Sequence, residues 1–265
     1  MPRHLLPLVL VALIAAAAPA SAKASRPAPT TPPAGWDVSY PQCGAALPAT
    51  SQFAVVGVDG GRVWSANACL SSELAWASRS SEGAPQYYVN TGNPGPRIST
   101  KWPSGQQSPR VCAASYPAND SVDCAYDYGW NAAADSYSRA VTAASSAGVR
   151  APAASAWWLD VETGNSWETL QYGATTAYQA NDRAALDGQR AYLRAQGVSA
   201  VGVYSTSYQW GQIVGGAGFD AAPAWYAGAG SKSTAQSHCA VTSFTGGPVV
   251  LAQYAQSGYD ADLKC

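Results

Sequence analysis

Asp160 and Glu162 close an apolar run within Ala156 to Trp167, AWWLDVETGNSW. On a strand, side chains two residues apart share a face with Cα atoms about 6.6 Å apart, so both carboxyls can address one pocket. Repulsion and partial burial in such a pocket raise one pKa and leave the other group ionised. One proton donor beside one anionic stabiliser is the division of labour that glycosidic cleavage requires. D-x-E is also common on solvated strand edges, so its surroundings decide the reading. Trp157, Trp158, Leu159 and Val161 supply the aromatic and branched bulk of a central strand, and Thr163, Gly164 and Asn165 turn the chain after it.

Other chemistries lack residues. His4 lies in the N-terminal leader, which leaves His238 as the one later histidine, beside Cys239 in a polar stretch. No G-x-S-x-G elbow accompanies it for a Ser-His-Asp mechanism, and a His-rich metal site is out of reach. No P-loop or G-x-G-x-x-G follows a strand, so no cofactor and no metal is expected. The chain carries 15 basic and 16 acidic residues, which argues against a nucleic-acid partner and against electrostatic attachment to a membrane. An enzyme built from this chain works with carboxylates.

The elements that position them are legible in outline. Strands are expected at 35–40, 53–58, 86–90, 156–162, 201–204, 224–227 and 249–254, and helices at 71–80, 127–148, 175–196 and 209–214, with an irregular insertion between Arg97 and Asp123. Strand-helix alternation is a parallel α/β signature, and in such barrels ligands collect at the C-terminal strand ends. Asp37, Asp59, Asp160, Glu162, Asp260 and Asp262 lie at or just beyond strand ends. Asn90 and Gln253 are candidate hydrogen-bond partners for sugar hydroxyl or acetamido groups. Tyr204, Trp210, Trp225 and Tyr254 either stack on sugar faces or fill the barrel mouth.

Residues 1–22 read as a secretory signal peptide: Arg3 and His4, an apolar run from Leu5 through Ala18, then Ala20-Ser21-Ala22 for cleavage. Residues 23–34 form a Pro/Thr-rich linker, and 35–265 a single domain. A secreted, extracellular monomer is expected. The six cysteines, Cys43, Cys69, Cys112, Cys124, Cys239 and Cys265, then read as three disulfides, and pairing of sequence neighbours staples successive loops.

Five segments in order, GWDVSYPQ, WLDVE, VGVYSTSYQW, AWYAG and QYAQSGYDAD, resemble glycoside hydrolase family 25, the lysozyme-like muramidases. The resemblance spans nearly the whole of 35–265 and implies a distorted (β/α) TIM-like barrel with disulfide-stapled loops. It also implies cleavage of the β-1,4 bond after N-acetylmuramic acid in peptidoglycan. By this resemblance Glu162 is the general acid and Asp160 its partner. Asp37 is a further active-site carboxylate, and Asp262 is the acidic residue of YDAD that completes the ring. Asp59 joins the substrate-binding candidates with Asn90, Tyr204, Trp225, Gln253 and Tyr254. Retention, inversion and attack by the substrate's own acetamido group all stay open. VDGG after the second strand, NTGNPGP after the third and the cysteine-bearing insertion depart from the family pattern, and the insertion is expected to overhang the rim. The alternative is a non-catalytic cell-wall or glycan-binding module on the same barrel.

Overall fold

The computed structural model describes Met1, residues 34–49 and residues 52–265. The expected signal peptide and nearly all of the expected linker lie outside the described residues. Among the described residues no helix is long and apolar enough to cross a membrane.

Eight strands close a barrel in sequence order: β1 (Ala34–Val38), β2 (Phe53–Gly57), β3 (Gln86–Asn90), β4 (Trp157–Asp160), β5 (Val201–Ser205), β6 (Ala224–Ala229), β7 (Val249–Gln256) and β8 (Tyr259–Lys264). The first seven are parallel to their neighbours, whereas β8 runs antiparallel to both β7 and β1. This last strand is absent from the sequence reading, yet its signal is present. Ser257 and Gly258 sit between two paired runs with φ of 52° and 82°, the doubly left-handed geometry of a two-residue hairpin. A chain that reverses there needs no crossover helix, so the barrel is a distorted (β/α) one.

Alternation along the strands divides the core in two. Phe53, Val55, Trp158, Trp225 and Leu251 pack inside the barrel, and Ala54, Val56, Tyr87, Trp157, Leu159 and Val203 pack outward with the helices. The helices are α1 (Leu70–Ala77), α2 (Val122–Ala147), α3 (Glu168–Tyr172), α4 (Thr176–Ala195), α5 (Ser207–Val214) and α6 (Lys232–His238). α2 begins five residues before the expected 127 because Ser121 caps it, its hydroxyl accepting from the Cys124 amide. Disulfides join Cys43 to Cys69, Cys112 to Cys124 and Cys239 to Cys265, each between sequence neighbours. The Cys112–Cys124 bond ties the insertion to the first turn of α2.

A buried polar knot fixes α3 against α4. Asn93 and Asn181 donate to Glu168, and Thr169 and Asn93 donate to Asp182. Burial pushes Glu168 up to about 8, with the Asp120 and Asp182 charges adding to the rise, and Asp182 up to about 6. The folded state therefore holds protons that the unfolded chain has released, and this contribution to stability is lost as pH rises from the ordinary glutamate range through about 8. Glu168→Gln keeps the shape and removes the titration. Its melting temperature is expected to fall several degrees less than the parent's between pH 6 and 9; equal falls in both proteins would exclude Glu168 as the source.

Candidate active site

A cavity of about 340 Å3 opens at the C-terminal ends of the parallel strands. Asp37, Asn90, Asp160 and Tyr204 reach it from β1, β3, β4 and β5, and Trp225 and Gln253 from β6 and β7. Glu162 reaches it from the loop after β4, and Asp260 from the first turn of β8. The strand expected at 156–162 ends at Asp160, although Val161 still donates its amide to the Tyr204 carbonyl. Glu162 therefore stands on an open loop, half-buried, while Asp160 forms the cavity floor with 4% of its surface exposed.

The two carboxyls of D-x-E lie close enough for the Glu162 charge to act on Asp160. Burial drives the Asp160 carboxyl well above the usual carboxylate range, and the Glu162 charge drives it further. The Asn90 side chain, donating to Asp160 Oδ2 at 2.5 Å, pulls the other way. A second pair lies across the barrel. Asp37 and Asp262 are neighbours, and burial followed by the charges of Asp262 and Asp260 raises Asp37 strongly. Burial raises Asp262 to about 7. Gln253 links this pair to the aromatic wall: its Nε2 donates to Asp37 Oδ2 at 3.1 Å, and its Oε1 accepts from the Tyr204 hydroxyl at 2.8 Å.

Four sequence candidates fall elsewhere. Asp262 is fully buried beneath the cavity, where its Oδ1 accepts the Trp225 indole N–H at 2.7 Å. Because β8 runs down into the barrel, Asp262 lies one layer deeper than Asp260, which takes the place on the rim. Asp59 turns outward instead: Ser136 of α2 donates to its Oδ1 and the Asn90 amide to its Oδ2, so it ties a helix to β3. Burial raises it to about 7. Tyr254 follows Gln253 on β7, and strand alternation that sends Gln253 inward sends Tyr254 outward to pack with Ala235, Ala252 and Leu263. Trp210 is buried in α5 and donates to the Ala217 carbonyl. Tyr88 is a cavity residue that the sequence reading passes over. The alternation Gln86, Tyr88, Asn90 points it inward with Asn90, a signal available from the strand alone.

No protein-family model matches the chain, and no curated protein does. Solved structures do. The barrel fold is shared with solved structures of a muramidase and of a spore cortex lytic enzyme. A muramidase from Trichobolus zukalii superposes with a TM-score of 0.52 at 14% identity, covering 88% of this chain and 93% of that one. The spore cortex lytic enzyme SleM of Clostridium perfringens gives 0.52 at 12% identity, covering 88% of this chain and 67% of that one. A family GH25 lysozyme from Aspergillus fumigatus gives 0.47 at 13% identity over 89% of this chain and 94% of that one. At identities this low the likeness shows a shared fold alone.

Proposed function

We propose that this protein is a secreted glycoside hydrolase that cleaves β-1,4 bonds of peptidoglycan, with Glu162 as the general acid. The observation that carries the reading is the convergence of Asp37, Asp160, Glu162 and Asp260 on one cavity at the barrel's C-terminal rim. Burying like charges together is unfavourable unless the site uses them. The names of the structures that share the fold, a muramidase and a spore cortex lytic enzyme, support the same substrate class. Three disulfides suit an oxidising compartment, in keeping with residues 1–22 as a leader ahead of a domain at 35–265.

Roles follow from exposure. Glu162, on its loop, is the group that can meet a glycosidic oxygen. Asp160 lies beneath it, where the Asn90 side-chain amide donates to its Oδ2 and stabilises its charged form. The nucleophile is the Asp160 carboxylate, the substrate's acetamido oxygen or a water held by Asp37 or Asp260. Tyr204 and Trp225 offer ring surface to the sugar, and Gln253 and Asn90 hold the carboxyls.

Release of reducing ends from purified, N-acetylated peptidoglycan tests the proposal directly: cleavage is expected, and binding without cleavage moves the glycan-binding module ahead. Asn90→Ala tests the titration of Asp160. Losing a donor that favours the charged form raises Asp160 further, so the alkaline limb of the activity profile is expected to move to higher pH, with kcat down about tenfold. A limb that stays put, or moves to lower pH, would separate Asn90 from the titration.

A further inference from the structure

The cavity does not end at the carboxylates. At Gly61, Gly164 and Asn165 its wall passes into a second cavity of about 640 Å3. The two differ in charge. The first carries Asp37, Asp160, Glu162 and Asp260 with no Lys or Arg, whereas the second carries Arg62 and Lys101 with no Asp or Glu. Both cations are exposed, and neither has an ion-pair partner among the described residues. Unpaired cations lining a concave wall focus a field that draws anions.

The wall of the second cavity is held in place by specific contacts. Trp64 has a φ of 67°, a left-handed conformation unfavourable for a bulky side chain. It is kept there by its indole N–H, which donates to the Tyr128 hydroxyl at 3.0 Å, and by an edge contact with the Tyr128 ring. The Lys101 ammonium lies 5.8 Å from the Trp64 ring centroid. Ile98 to Lys101, which form the facing wall, belong to the insertion. Trp102 anchors that segment by stacking on Tyr128 at 5.3 Å and donating to the Asn119 carbonyl.

We propose that the second cavity holds a short acidic peptide branch of the glycan strand whose sugars lie across the carboxylates. This rests on the glycosidase reading and extends it to the substrate's side chain. Arg62 and Lys101 pair with carboxylates of the branch. Trp64 and Tyr128 cover its apolar parts. Asn165, Thr91 and Ser166 offer polar groups to its amides. A neutral sugar chain gives the two cations nothing to pair with. A carboxylate on the sugar itself is the other source of the same charge.

Equilibrium binding separates these sources without requiring turnover. The probes are a disaccharide-tetrapeptide, the same disaccharide bearing only its lactyl carboxylate, and neutral chitobiose, each titrated against the full protein and the double variant Arg62→Glu/Lys101→Glu. The peptide-bearing probe is expected to bind about tenfold more tightly than either other probe, with the preference lost in the variant and weakened at high salt. Three results overturn the proposal: equal binding of the peptide-bearing and lactyl probes, a preference that survives in the variant, or no binding of the peptide-bearing probe. Failure of the glycosidase reading shows separately, as absence of reducing ends.

Discussion

Glu162→Gln is expected to lower kcat on peptidoglycan by about 100- to 10,000-fold, the contribution a positioned general acid makes. Gln keeps the size and the loop. The Glu162 backbone carbonyl, which accepts the Trp167 indole N–H at 2.8 Å, is untouched, so the fold and glycan binding should survive. The loss should shrink on an aryl glycoside whose phenol departs without a proton, because a general acid matters only where the leaving group needs one. A uniform loss on both substrates would recast Glu162 as a positioning group. Full activity in the variant would remove it from the mechanism, and the proton would have to come from Asp160, Asp37 or Asp260, the remaining carboxyls of the cavity.

The second large effect is on stability. At the crossing of α2 and α4, a Cβ built on Gly188 would lie 2.0 Å from the Tyr126 carbonyl oxygen, and one on Gly129 1.8 Å from that of Ala185. Both obstacles are backbone, so the clash is relieved only by moving the helices apart. Overpacking of this kind costs about 3 kcal/mol at the upper end of its usual range. For a domain of this size, Gly188→Ala should then lower the melting temperature by roughly 6–12 °C. Gly211, inside α5 with nothing within 4 Å of its Cβ direction, is the contrast. Gly211→Ala should raise stability by about 0.5–1 kcal/mol through helix propensity. A melting temperature within about a degree of the parent's for Gly188→Ala would show that the helices part easily, since each kcal/mol moves it by about 2–4 °C. Displacing α2 also moves Tyr128 and Ser136, so activity should fall with stability.

Much of the framework was legible before any coordinates. Apolar runs with β-branched and aromatic bulk mark the parallel strands, and 86–90 coincides with the observed β3. Helix α4 agrees with expectation to within one residue at each end, because its cap residue and amphipathic face are local signals. The pairing of neighbouring cysteines follows from short separations in the chain. β8 escaped because its strand is read together with β7 as one terminal motif; the Ser257-Gly258 turn inside that motif reverses the chain.

Asp160, Glu162, Asp37, Asn90, Tyr204, Trp225 and Gln253 were identifiable as a set because strand ends and alternation are properties of the chain itself, and all seven line the cavity. Which carboxylates of the remaining candidates reach it was decided only in three dimensions. The antiparallel β8 lifts Asp260 to the rim and sinks Asp262 beneath Trp225, and α2 captures Asp59 through Ser136. The second, cationic cavity exists only where the loop of Arg62 and the insertion of Lys101 meet across Tyr128. Periodicity is written along the sequence, but depth in a barrel and the meeting of distant loops depend on closure and packing between elements far apart in the chain.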